Sequence, residues 1–219
     1  VKLQPILSEK SSIFVDSIWD VPTILDSVHH RVYAEISDVP AFGYKTFEIR
    51  GTPHKMQKRP GIAQGRVLEN SKLRAKINSD GTLDVLYKKT GREYKNLNFY
   101  TSQGETGNAW KHESPEFDRK YSTVGIDHKI YVAESGKLCG TIVTECTFEI
   151  PESCEVNPSS IYTKVPVKTS YTLKANADYI EVKVELTNNA KDHWLRVNFP
   201  TDIKTKYSYS DSHFDIVRR

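Results

Sequence analysis

The sequence predicts an all-β protein built on a large antiparallel β-sandwich, and three observations predict it. Apolar and polar residues alternate with period two in several separate windows. Turn residues punctuate these windows at short intervals. No window carries the apolar stripe of an amphipathic helix.

The chain opens with a small β segment, taken as residues 1–58. Within it, "RVYAEISDVPAFGYKTFEI" reads as two strands around a Pro/Gly turn. Roughly fifty residues bury little apolar area against their chain entropy, so this segment is expected to lean on something else. Residues 50–66, "RGTPHKMQKRPGIAQGR", are rich in Gly, Pro and Lys and read as a linker or long exposed loop, with the boundary set at 59–66.

The sandwich is assigned to residues 67–219. In "KLRAKI" the alternating apolar set is Leu73, Ala75 and Ile77; in "TLDVLY" it is Leu83, Val85 and Tyr87. In "TIVTECTFEI" it is Ile142, Thr144, Cys146, Phe148 and Ile150, and in "YIEVKVELT" it is Ile180, Val182, Val184 and Leu186. "RVNF" adds Val197 and Phe199. Each pattern marks a strand with one wet face. Ser79-Asp80-Gly81 joins two strands as a short hairpin, and Thr90-Gly91 closes another turn.

Charge excludes some function classes. The 31 basic and 28 acidic residues leave a net charge of +3, too balanced for a nucleic-acid surface. No apolar run approaches a membrane span, and "VKLQPILSEK" lacks a signal-peptide core. Asn157-Pro158-Ser159 is disqualified as a glycosylation triplet by its proline. Cys139, Cys146 and Cys154 are odd in number and lack paired metal spacing. Reduced thiols and a cytoplasmic location are expected, with a single disulfide left open.

One stretch departs from the pattern: "FYTSQGETGNAWKHESPEFDRKYS", a long polar loop built around Trp110. Its glycines let the backbone turn sharply, and it carries Trp110 among the polar residues Asn108, Glu105 and His112. Trp194 and Arg196 share the strand face opposite His193, Leu195 and Val197, and are read as packing beneath a second layer. Trp19 is taken as an anchor of the N-terminal segment or as facing another domain. Tyr207, Tyr209, Asp211 and His213 share one face and are read as a solvated edge.

Chemistry on this chain alone is not expected. His29, His30, His54, His112, His128, His193 and His213 form no metal-binding spacing. Neither a GxSxG elbow nor a Cys/His pair stands out, and Glu116 and Asp118 read as solvated loop charges. No catalytic residue and no metal ligand is assigned.

Three ordered blocks carry a resemblance: "DVPAFGYKTFEI", "LENSKLRAKINSDGTLDVLYKKTGREYKNLN" and "NNAKDHWLRVNFPTDIKTKYSYSDSHFDIVRR". They resemble the β-rich C-terminal half of family 38 glycoside hydrolases, the retaining α-mannosidases, with bacterial members such as mannosylglycerate hydrolases nearest. The resemblance implies a galactose-mutarotase-like sandwich excised from a larger enzyme. It also implies an N-terminal catalytic domain where an aspartate nucleophile and an acid lie roughly 5–5.5 Å apart. A Zn²⁺ would be held there by Asp and His ligands outside this chain. The resemblance further implies that the Trp110 loop projects toward the catalytic cleft, where an indole can stack on the apolar C–H face of a pyranose. Trp110 is accordingly read as a substrate-side or interdomain contact, with Asn108, Glu105 and His112 as polar partners; the bland alternatives are that Trp110 only docks the sandwich on another domain, or tucks into its own core. Where relatives carry Asp at the position of Asn108, this chain has an amide, against a charged role there. The expected function is a non-catalytic portion of an α-mannosidase that supports the catalytic domain and lends loops to the sugar site. A stand-alone carbohydrate-binding module and a purely structural module are the alternatives. Expected partners are the catalytic domain and an α-mannoside, without nucleic acid or membrane, and with a homo-oligomer left open.

Overall fold

The computed structural model describes residues 1–17, 20–49, 60–108 and 110–219. Trp19, His54 and positions 50–59 of the stretch read as a linker lie outside the described residues. Every regular element among those described is a strand, so the all-β reading holds.

Strands β1 (Lys2–Ser17) and β2 (Asp20–Glu35) form one long antiparallel hairpin. This differs from the expected pair of strands around the Pro/Gly turn. The turn is present, with Gly43 N donating to Pro40 O at 3.1 Å. Residues 36–49, however, form no strand.

A five-stranded sheet follows, in the order β3 (Ala63–Gln64), β4 (Val67–Glu69), β5 (Leu73–Ile77), β6 (Leu83–Tyr87) and β7 (Arg92–Leu97). It starts inside 59–66, and Ile62 and Ala63 are buried in the core. The predicted turn at Ser79-Asp80-Gly81 joins β5 to β6, pairing Ile77 with Leu83. Gly91 N closes the next turn on Tyr87 O at 2.9 Å.

A three-stranded sheet places β8 (Phe99–Gly104) between β14 (His193–Asn198) and β9 (Tyr121–Ser122). The fourth sheet runs β10 (Lys129–Ser135), β11 (Cys139–Pro151), β12 (Tyr162–Lys174) and β13 (Glu181–Leu186). Its two central strands are 13 residues each, about 43 Å long at ordinary strand rise. That length lets one sheet back two smaller ones. One half of it packs Ile142, Tyr171 and Leu173 on Leu68, Leu73, Ala75, Ile77 and Leu83. The other half packs Phe148, Ile150, Val165 and Val167 on Tyr100, Ala190 and Leu195.

Polar groups join these two cores. Asn98 Nδ2 donates to the Tyr171 hydroxyl at 2.7 Å, and that hydroxyl donates to Gly81 O at 3.2 Å. Tyr100 and Thr169 share a hydroxyl bond at 2.7 Å. Burial pushes both tyrosine hydroxyls above their usual pKa, so they stay protonated and bonded.

β12 was not among the strands named from sequence. Pro166 interrupts it, and a proline argues against a central strand. The sheet accommodates it because Pro166 O takes Thr187 N at 3.3 Å, just past the end of β13. The missing N–H therefore faces the side where the neighbouring strand has stopped. Two readings of apolar faces need correction. Val184, Leu186, Val197 and Phe199 are exposed, because the opposite layer does not extend over them. Finally, β15 (Tyr209–Ser212) and β16 (Asp215–Arg218) form a separate hairpin with Tyr209 exposed.

Candidate functional site

The loop between β8 and β9 is a small hairpin with its own bracing. Its base is tied to the sheet where Glu105 N donates to Asp192 O at 3.0 Å. Thr106 N then reaches Glu113 O at 2.9 Å, and Asn108 N reaches Lys111 O at 2.9 Å. The Asn108 side chain closes the tip, its Oδ1 accepting from Trp110 N at 2.9 Å and Lys111 N at 3.1 Å. This is the local side-chain turn that favours Asn here. Gly107 is required by close approach: a Cβ there would lie 2.0 Å from Lys111 O.

Glu105 organises the interior of the loop. Its Oε1 accepts from Gly107 N at 2.8 Å and Glu113 N at 2.9 Å, while Oε2 meets His112 Nδ1. The Glu113 amide, then His112, draw the carboxyl down to a pKa of about 2. Lys111 pairs with Glu113. The His112 ring lies 4.1 Å from the Trp194 ring at 53°, so the loop rests on β14.

Of the four residues read from sequence, Glu105 and His112 are brought together and Asn108 braces the tip. Trp110 is presented outward, 94% exposed. The indole is therefore not tucked into the chain's own core. The acceptors of Asn108 Oδ1 and Glu105 are occupied by the loop itself, which makes these residues supports for Trp110.

Sequence reasoning undervalued the surface beneath the loop. Trp194 and Arg196 lie opposite Leu195, as expected, yet the layer above Trp194 is His112 and not a second sheet. The Arg196 guanidinium stacks 4.1 Å from the Trp194 ring. It donates to Gln103 Oε1, and Gln103 Nε2 donates to Asp118 Oδ2 at 3.1 Å. Asp118 Oδ1 is taken by Gly104 N at 3.1 Å and Arg119 N at 2.8 Å. The available signal was the i, i+2 spacing of Trp194 and Arg196 on one strand face; the register of Trp194 with Gln103 came only from the fold.

Other features bear less on a site. An open groove of about 940 Å³ lies along β10–β13, where Lys129, Glu145, Lys168 and Glu185 form one cross-strand row of alternating charge. Among the described residues no group of three or more His, Cys, Asp or Glu is placed to hold a metal. Cys139, Cys146 and Cys154 are free, and burial pushes the Cys146 thiol up to about 11. No helix is long and apolar enough to cross a membrane among the described residues.

Known proteins share this architecture. A solved α-mannosidase from Enterococcus faecalis V583 matches all of this chain at a TM-score of 0.81 and 18% identity, over 27% of its own length. A solved family 38 glycosyl hydrolase from Enterococcus faecalis matches at a TM-score of 0.79 and 19% identity, over 28% of its length. In sequence, a protein of Halalkalibacterium halodurans provisionally named a mannosylglycerate hydrolase is 28% identical over 169 residues, 69% of this chain and 19% of the relative. The chain thus spans about a fifth of that relative and about a quarter of the solved structures. The model of the glycosyl hydrolases family 38 C-terminal domain matches residues 68–219. The chain belongs to glycosyl hydrolase family 38, as a C-terminal domain of that family.

Proposed function

We propose that this chain is the non-catalytic β-sandwich portion of a retaining, zinc-dependent α-mannosidase that hydrolyses terminal α-linked mannosides. The nucleophile, the acid and the zinc ligands belong to a catalytic domain outside these residues. By analogy with the relative provisionally named for it, α-mannosylglycerate is the substrate class. This chain's part is to buttress the catalytic domain and to present Trp110 to the sugar. The observation that carries the reading is an almost fully exposed indole on a loop held by Asn108, Glu105 and His112. A braced loop pays little ordering entropy when the ring meets a ligand.

The test uses the full-length enzyme. Trp110→Ala is expected to lower kcat/KM by about 1–3 kcal/mol of transition-state binding. Unchanged kinetics with a lower Tm would assign the indole to domain docking. The isolated chain is expected to give no turnover of a chromogenic α-mannoside, with or without added Zn²⁺, and turnover above background would refute the non-catalytic role. A stand-alone carbohydrate-binding module would instead show mannoside affinity in calorimetry of the isolated chain.

A further inference from the structure

We infer that the far end of the β1–β2 hairpin is a two-faced apolar tip that inserts into a slot in the rest of the enzyme's own polypeptide. This deepens the buttress reading, on which it rests, by naming the element that makes the contact and the kind of surface that receives it.

Residues paired directly across an antiparallel ladder share a face, and successive pairs alternate between faces. Past the bulge between Pro5 and Leu7, the pairs Ile13–Leu25 and Val15–Thr23 lie on one face and Phe14–Ile24 on the other. The apolar members are all exposed, Phe14 at 63% and Leu25 at 51%. Nearer the base the character reverses. Glu9–His29 on one face, with Ser8–His30 and Ser12–Asp26 on the other, are polar pairs, so the shaft suits water, Val28 apart.

A solvated arm gains nothing from such a tip. A strand laid flat on a partner needs apolar residues on one face only, as in β5, where Leu73, Ala75 and Ile77 are buried between exposed Arg74 and Lys76. Apolar side chains on both faces mark strands covered from both sides. The rest of this chain grips the hairpin at its base, where Gln4 Oε1 accepts from Leu138 N and Cys139 N, and Glu35 Oε1 from Asn176 Nδ2. From Gln4 to Phe14 the strand runs about 33 Å at ordinary rise. A two-stranded ribbon left uncovered over that length is marginal in water.

The same polypeptide supplies a cover. The family 38 C-terminal domain model matches residues 68–219, past the hairpin. The solved structures match the whole of this chain, hairpin included, and most of each solved chain lies outside the match. A second copy of this chain fits less well. Two tips pairing face to face about a two-fold axis would cover one face of each and leave the other wet. The groove along β10–β13 is open and crossed by the charges of Lys129, Glu145, Lys168 and Glu185, which does not suit an apolar wedge.

Unvaried full-length enzyme is footprinted with hydroxyl radicals and read by mass spectrometry. Phe14 and Leu25, one on each face of the tip, should be oxidised at least about tenfold more slowly than in the urea-unfolded enzyme, and His29 and His30 on the shaft at close to the unfolded rate. Full rates at Phe14 and Leu25 make the hairpin a solvated arm, shielding of only one makes it a flat contact, and equal shielding of His29 and His30 buries it along its length. Each of these overturns the inference. Shielding that fades when the enzyme is diluted to a monomer assigns the cover to a second copy and overturns it too. Phe214 in the last hairpin, also exposed here, separates the two readings. If Phe214 is shielded and Phe14 is not, this inference alone fails; if neither is shielded, the buttress reading fails with it.

Discussion

His193 sits half-buried between two partners, and both ring nitrogens are engaged. Asn188 Oδ1, which also accepts from Ala190 N at 3.1 Å, takes the Nε2 proton at 3.0 Å. Nδ1 is then the acceptor for the Ser102 hydroxyl at 2.9 Å, so the ring is neutral in this arrangement. Burial holds its pKa below the usual value, partly opposed by Asp192. The unfolded chain takes up this proton near the ordinary histidine pKa of about 6.5, and the folded chain only at lower pH. The resulting stability is present above about 6.5 and is lost as pH falls through the folded value. Thermal unfolding of the full-length enzyme should therefore show the advantage of wild type over His193→Gln shrinking from about pH 7.5 to about pH 5. A pH-independent difference would show that this ring does not titrate with folding. The Ser102 contact was not legible beforehand, since Ser102 and His193 are 91 positions apart and meet only through the β8–β14 pairing.

Among the elements, the β1–β2 hairpin is attached through Gln4, and at its other strand through Glu35, whose Oε1 accepts from Asn176 Nδ2 at 2.6 Å. Gln4, 6% exposed, donates through Nε2 to Glu134 Oε1 at 2.5 Å and Cys139 O at 2.9 Å. Its Oε1 accepts from Leu138 N at 2.7 Å and Cys139 N at 2.9 Å. Gly136 makes room, because a Cβ there would fall 2.0 Å from the Gln4 amide carbon. The expectation that the first segment leans on something else has this physical form: an amide plugged into the β10–β11 turn. Gln4→Ala leaves two amides, a carbonyl and a carboxylate short of a partner, a cost of about 1–3 kcal/mol. Hydrogen exchange at the Leu138 and Cys139 amides should accelerate at least about tenfold; continued protection would mean the hairpin is held elsewhere. The pin was invisible in sequence because nothing in "KLQPIL" distinguishes a buried glutamine from a solvated one. By contrast, Leu73, Ala75 and Ile77 alternate in sequence and are all buried, since period two maps directly onto the faces of a strand.

The whole molecule exposes 16449 Å². A compact monomer of 25.0 kDa exposes about 10,000 Å² by the scaling of surface with mass. Apolar side chains are among the exposed groups: Phe14 and Ile24 near the end of the first hairpin, Tyr44 and Ile49 beyond it, and Phe214 and Ile216 in the last hairpin. Such apolar surface is what a domain shows when its neighbours are taken away. The isolated chain should bind a hydrophobic dye such as ANS several-fold more strongly per mole than the full-length enzyme. Equal dye binding would remove the buttress reading, because these faces would then be free in the complete enzyme too.

Local pattern determined the all-β class, the strand faces of β5 and β11, the turn at Asp80-Gly81 and the odd loop around Trp110. Each of these depends on residues close in sequence, where spacing and turn chemistry act directly. Only the tertiary structure decided that one long sheet backs two smaller ones, that Gln4 pins the hairpin, and that Gln103 separates Asp118 from Arg196. Those outcomes depend on which strands become neighbours, and strand pairing joins positions that no local pattern connects.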